Sequence, residues 1–285
     1  MALPSKAGFG LLLMAAFSAT AADPTWTEPF PAHRIAGNLY YVGSRALASY
    51  LITTPAGNIL INSNLQTSPP AIRASIEKLG FRWNDTKILL ISHAHFDHCA
   101  GSAAIKRETG AKYMVMQPDV SVVESGGATD FQYAHDPESR YPAVKVDRVL
   151  HDGDQVTLGG AVLTAHLTPG HTKGCTTWTL NVREGGKTYR VVIVGSPNVN
   201  TGYKLVHNAQ YPQMAQDYER CFQVMAALPC DIFLGAHGAY YGMEQKYAQM
   251  KAGKSNAFVD PEGYAQFVRD KEAAFRAELA RQSGR

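Results

Sequence analysis

Lys87-Ile88-Leu89-Leu90-Ile91-Ser92-His93-Ala94-His95-Phe96-Asp97-His98 is the stretch on which the fold turns. Its first half is a continuous apolar run, the pattern of a strand covered on both faces. Its second half packs three histidines and an aspartate into six residues. His93, His95 and Asp97 alternate at period two, so an extended segment sends the two imidazoles to one side. Asp97 and His98, where the chain turns into a helix, then reach a second position nearby. Imidazole and carboxylate donors at the mouth of a buried strand suit a pair of zinc ions.

Tetrahedral zinc needs more donors than this segment holds, so further histidines are expected at other strand ends. Two have that setting: His171 in Thr168-Pro169-Gly170-His171-Thr172 and His237 in Gly235-Ala236-His237-Gly238. The small residues beside each let backbone and ligand come close. His33, His135, His151, His166 and His207 lack the setting and read as surface or structural histidines. Cys99 and Cys175 sit beside the two motifs but read as small buried residues rather than ligands.

Outward from the motif, Leu39–Val42, Ala48–Thr53 and Asn58–Asn62 read as an antiparallel meander of three strands broken by Gly and Pro turns. Ser68-Pro69-Pro70 predicts a capped helix start, with Ile72, Ile76 and Leu79 on one face and Gly80 at its end. A helix over 98–109 closed by Gly110 and a strand over 112–116 follow. The polar, Gly-rich stretch 124–140 predicts a long loop. Beyond it the pattern restarts, with strands at 147–150, 161–167, 176–182 and 189–194, a helix over 212–228 and a strand over 231–234. No linker-like tract separates the halves, so one domain of two packed sheets with helices outside is expected.

The 285 residues carry 45% hydrophobic and 18% charged side chains, enough for a sizeable core and against disorder. A net charge of +3 with scattered Lys and Arg excludes a nucleic-acid-binding stripe. Lys6, the apolar run Gly8–Phe17 and Ala19-Thr20-Ala21-Ala22 read as a secretory signal peptide over 1–21, leaving a single domain over 22–285. That run is shorter than the ~20 residues a bilayer needs, so no membrane anchor is expected once the signal is cleaved. In an oxidising compartment Cys221 and Cys230, which bracket a helix end, are the favoured disulfide pair.

In its His-x-His-x-Asp-His motif and later single histidines the chain resembles the metallo-β-lactamase superfamily. The resemblance implies an α/β fold, a four-layer αβ/βα sandwich of two mixed β-sheets with helices on the outer faces and a dinuclear zinc site at one edge. It assigns His93, His95 and His171 to the first zinc, and Asp97, His98 and His237 to the second. Ser196 stands where many superfamily hydrolases place a bridging aspartate and one lactamase class a cysteine; with His98 as a ligand, this is similar to subclass B3. Asn62 departs from the aspartate many members carry there. The implied activity is hydrolysis of the β-lactam amide of penicillins, cephalosporins and carbapenems by zinc-bound hydroxide, which Asp97 orients. Ser196 and Asn198 would bind the substrate carboxylate and Tyr203 would act on the carbonyl oxygen. The resemblance further implies a periplasmic monomer that takes a small-molecule substrate. The rival of the same fold is a lactonase or other dinuclear zinc hydrolase; a serine lactamase is not indicated, because Ser102–Ile105 lacks the lysine of Ser-x-x-Lys.

Overall fold

The computed structural model describes residues 23–284. Seven strands form the first sheet in chain order: β1 His33–Ala36, β2 Leu39–Tyr41, β3 Tyr50–Thr54, β4 Gly57–Ile61, β5 Thr86–Leu90, β6 Lys112–Met116 and β7 Arg148–Leu150. Five form the second: β8 Gln155–Leu158, β9 Ala161–Leu167, β10 Thr176–Glu184, β11 Lys187–Val194 and β12 Ile232–Gly235, ordered β12-β11-β10-β9-β8. Helices α1 Pro69–Lys78, α2 Phe96–Cys99, α3 Ser102–Thr109 and α4 Val120–Glu124 lie in the first half, and α5 Met214–Ala227, α6 Met243–Lys251 and α7 Pro261–Gln282 in the second. The predicted sandwich of two mixed sheets is the observed one.

Hairpin turns explain the antiparallel pairing of β1 to β4, and helical crossovers through α1 and α3 explain the parallel pairing of β4, β5 and β6. Period-two alternation sorts the first sheet into two apolar faces. Ile59, Ile61, Ile88 and Leu90 enter the core between the sheets. Leu60, Leu89 and Ile91 join Ile72 and Ile76 of α1 and Ile105 of α3 on the other side. On the far side of the molecule, Tyr218, Phe222 and Met225 of α5 and Val268 and Phe275 of α7 join the core of the second sheet.

Several expectations are corrected. Short edge strands β1 and β8 extend both sheets, and nothing in the pattern had marked them. The helix expected over 98–109 is two, α2 and α3, separated at Ala100-Gly101, where an added Cβ on Gly101 would stand 2.6 Å from the Ser63 carbonyl oxygen. Ser68 is itself helical, with φ −77° and ψ −27°, and its side chain caps nothing. All four cysteines are free and buried, so the Cys221–Cys230 disulfide is not formed. Cys221 lies inside α5, six residues before its end, and Cys230 follows the helix. The signal-peptide reading over 1–21 lies outside the described residues, among which no helix is long and apolar enough to cross a membrane.

Candidate metal centre

The histidine segment leaves the end of β5 and is clamped from both sheets. Asn62, at φ +66°, accepts the Ser92 amide on Oδ1 at 2.8 Å and donates from Nδ2 to the Ala48 carbonyl at 3.3 Å. From the second sheet the Thr176 amide donates to the Ser92 carbonyl at 2.7 Å, and Trp178 Nε1 donates to the Ile91 carbonyl at 3.0 Å. Two residues beyond Ser92, Tyr141 Oη donates to the Ala94 carbonyl at 2.7 Å. Asp119 is the hub of this frame. Its carboxylate accepts the amides of Ala94 (2.9 Å) and Gly174 (2.7 Å) and the Thr172 hydroxyl (2.8 Å), tying the loops of His93 to His98 and of His171 together. Burial pushes Asp119 up to about 6 against the pull of those hydrogen bonds.

His95 closes the extended run with φ −81° and ψ 149°, and Asp97 and His98 occupy the single turn of α2. His171 follows Gly170, whose φ of +128° and 2.7 Å clearance from the Tyr218 ring exclude any side chain there. His237 follows β12, pinned as Gly238 N donates to Ala46 O at 2.9 Å. All six residues expected at the metals therefore converge.

They converge as two adjoining sets. In the first, donor atoms of His93, His95 and His171 lie within 4.8 Å of one another, with His95 Nδ1 and His171 Nε2 3.1 Å apart. In the second, His98 Nε2 stands 3.0 Å from Asp97 Oδ2 and 3.2 Å from His237 Nε2, which is 3.5 Å from the same carboxylate oxygen. Donors of His93 also lie within 4.8 Å of those of Asp97 and His98, which makes the sets neighbours.

These residues fit zinc on two counts. Zinc–nitrogen bonds of 2.0–2.1 Å at a tetrahedral angle set ligand nitrogens about 3.3 Å apart, close to the 3.1 and 3.2 Å ring separations. Buried His93 Nε2 has no hydrogen-bond partner among the described residues, which in a folded core calls for a ligand or ion nearby. Tautomers agree. His171 Nδ1 must donate to the Asn198 carbonyl at 2.8 Å, since a carbonyl only accepts, and its Nε2 lone pair is left for a metal. Burial lowers His95 and His237 to about 4 and His171 to about 3, so these rings are neutral and free to ligate at neutral pH. Burial opposes ionisation of Asp97, but His98, by charge and hydrogen bond, holds the carboxyl well below its usual range.

A cleft of about 650 Å³ opens over His95, Asp97, His171 and His237, a volume ordinary for a small-molecule site. Trp26, Phe96, Tyr133 and Tyr240 wall it, and Asn198 and Asn200 line one rim. Asn198 Nδ2 donates to Tyr240 Oη at 2.8 Å, and Ser196, buried at the end of β11, stands 3.1 Å from the same oxygen. Tyr203 departs from expectation: it is buried, and its hydroxyl donates to the His171 carbonyl at 2.8 Å, so it supports a histidine from beneath rather than facing the cleft. Cys175 Sγ accepts the Ser196 amide at 3.2 Å and, like buried Cys99, plays a structural part. The five other histidines stay away from the cleft; His166 Nε2, for example, meets Thr179 Oγ1 at 2.8 Å. Asp119, Tyr133, Tyr141 and Tyr240 escaped the sequence reading. Each is a lone residue in a loop or short turn, and only the three-dimensional frame gathers them.

Fold and site together define the class: the chain belongs to the metallo-β-lactamase superfamily, whose sequence model matches residues 44–183, and within it to subclass B3. Among solved structures it is similar to the native FEZ-1 metallo-β-lactamase of Legionella gormanii, at 57% identity over 90% of this chain and 98% of that one, with a TM-score of 0.89. BJP-1, a subclass B3 metallo-β-lactamase of Bradyrhizobium japonicum, is 37% identical over 92% and 98% of the two chains, with a TM-score of 0.86. The class B3 di-zinc metallo-β-lactamase LRA-12, from an Alaskan soil metagenome, is 35% identical over 90% and 97%, with a TM-score of 0.86.

Proposed function

We propose that this chain hydrolyses the amide bond of β-lactam antibiotics with two zinc ions. His93, His95 and His171 hold the first ion, and Asp97, His98 and His237 the second. The observation that carries the reading is the pairing of six donor residues, five of them buried and His237 partly exposed, into two adjoining sets beneath one open cleft. When bound, the ions supply Lewis acidity that activates water near neutral pH and polarises the lactam amide.

The protein's own part is orientation. Hydrolysis adds water across the lactam C–N bond: oxygen goes to the carbonyl carbon, a proton to the nitrogen, and the ring opens. The Asp97 carboxylate, kept ionised, accepts a hydrogen bond from the attacking water and aims it at the carbonyl carbon. Asn198 donates to the substrate carboxylate at the rim, held in place by Tyr240 and Ser196. Trp26, Phe96 and Tyr133 cover the apolar substituents and keep bulk water out. Tyr203 acts through the His171 backbone. Export by residues 1–21 and action as a periplasmic monomer belong to the same proposal; the Gly8–Phe17 run supports export.

Turnover of a penicillin, a cephalosporin, a carbapenem and an acyl lactone, measured side by side before and after chelation, tests this reading. Zinc-dependent turnover of the β-lactams is expected. Lactone turnover alone would assign the chain to the rival hydrolase, and β-lactam turnover that survives complete zinc removal would contradict the mechanism.

A further inference from the structure

His95 offers both ring nitrogens to buried surroundings. Nδ1 faces His171 Nε2 at 3.1 Å, so Nδ1 is the nitrogen turned toward the first metal set. Nε2 points the other way, is buried, and has no hydrogen-bond partner. Asp130 Oδ2 lies 3.7 Å away on that side, on a side chain as buried as the ring. Asp130 belongs to the Gly-rich loop between α4 and β7, a part of the chain to which the sequence assigns no role.

We infer that Asp130 is a positioning residue for His95. It selects the tautomer with the proton on Nε2 and thereby presents the Nδ1 lone pair to the first zinc. The inference rests on the metal reading above. A ligating imidazole must carry its proton on the nitrogen remote from the metal, and a carboxylate facing that N–H both fixes the tautomer and raises the basicity of the ligating nitrogen. His171 has this arrangement through the Asn198 carbonyl. His95 has only Asp130. The 3.7 Å separation is longer than a hydrogen bond and leaves the carboxylate facing the ring's N–H side as an electrostatic contact.

Asp130 is itself well held. Its Oδ1 accepts the amides of Gln132 at 2.8 Å and Tyr133 at 2.7 Å, which folds the loop back and sets the Tyr133 ring 5.2 Å from the His95 ring. Asn200 Nδ2 then donates to Tyr133 Oη at 3.0 Å. One carboxylate thus faces the ligand with one oxygen and shapes the cleft wall with the other. Separating these two jobs requires a variant that keeps the second. Asp130→Asn retains a carbonyl oxygen for the two amides and removes the charge facing His95.

Chelator competition on Asp130→Asn and on the wild type, read at both zinc-binding steps, tests the inference. Removal of such a carboxylate typically weakens metal binding 10–100-fold; that loss is expected at the first site alone, with little change at the second. In the zinc-loaded wild type, ¹⁵N-histidine NMR should show His95 protonated at Nε2 and bound through Nδ1, with its N–H signal shifted upfield or lost to exchange in Asp130→Asn. Tyr133→Phe, which leaves both Asp130 amide contacts intact, should bind zinc like the wild type. Wild-type zinc affinity in Asp130→Asn, or a His95 ring bound through Nε2, would overturn the inference while leaving the dinuclear reading standing. A wild-type protein that takes up no zinc would instead overturn the metal reading itself.

Discussion

Asp119 accepts the backbone amide of Ala94 at 2.9 Å, gripping the chain midway between His93 and His95 from a turn more than twenty residues away. The same carboxylate accepts Gly174 N and Thr172 Oγ1 beside His171, so three loop groups share one buried anion. In Asp119→Asn the amide nitrogen can accept nothing, and at least one buried N–H loses its partner. Unfolding in urea should show a loss of about 2–4 kcal/mol. Zinc affinity should fall with it, because the two loops that carry the first ligand set are no longer tied. An Asn variant as stable as the wild type would mean that the loops are fixed by packing alone.

The ligand histidines should make the zinc-free protein acid-sensitive. In the unfolded chain each ring titrates near its ordinary ~6.5. In the folded chain burial lowers His95 and His237 to about 4 and His171 to about 3. Unfolding therefore takes up protons below pH ~6.5. The stability is complete above that value and is lost progressively as pH falls toward the folded values. Unfolding free energies of the apoprotein from urea titrations at pH 7.5 and pH 5.0 should differ by about 2 kcal/mol for each ring. His171→Ala should reduce the difference. Saturating zinc should raise stability at both pH values and leave the difference in place, since a metal-bound ring takes up no proton in the folded state while the unfolded ring still does. Equal free energies at the two pH values would show that these rings are not buried neutral.

Tyr203 provides a discriminating substitution. With its hydroxyl spent on the His171 carbonyl, Tyr203→Phe should lose about 1 kcal/mol of stability and change kcat only a few-fold. Direct action on the substrate carbonyl would instead cost on the order of 10²-fold or more in kcat with stability preserved. Steady-state kinetics beside a denaturation curve separates the two.

Gly170 gives a steric prediction. A methyl group there would sit 2.7 Å from the Tyr218 ring at a φ of +128°, which side chains rarely adopt. Gly170→Ala should cost about 2–4 kcal/mol and displace His171, weakening zinc binding as well. Tyr218→Ala in the same background would relieve the clash but not the backbone strain, so only partial recovery is expected in thermal melts.

The metal centre was legible wherever its chemistry is local in the chain. Four of its residues lie within one six-residue stretch, and His171 and His237 stand out because each follows a readable strand and lies beside glycine. The apolar run at 87–92 could be read as a doubly covered strand because both of its faces are filled, by Ile88 and Leu90 on one side and Leu89 and Ile91 on the other. What the sequence concealed depends on distance in the chain. Asp119, Asp130 and Tyr141 acquire their roles only when the loops between β6 and β7 fold against the motif. Tyr203 sits in the expected loop, but tertiary packing decides which way its hydroxyl points. The Cys221–Cys230 pairing failed for a related reason, since closeness in sequence does not bring two thiols together across two turns of helix. Beyond β12 the pattern assigned nothing, although α7 is the longest helix among the described residues.

The clamp that Trp178 and Thr176 make on Ile91 and Ser92 joins the two sheets at one edge, and His171 and His237 reach that edge from the second sheet. An ion seated among His93, His95 and His171 is therefore a cross-link between the two halves of the chain. On the two-zinc reading, zinc supply would bear on stability as well as turnover: free zinc at 100 times its Kd would add about 2.7 kcal/mol to the folded state. The zinc-free chain is then expected to be the more easily unfolded and proteolysed form, a cost separate from lost turnover.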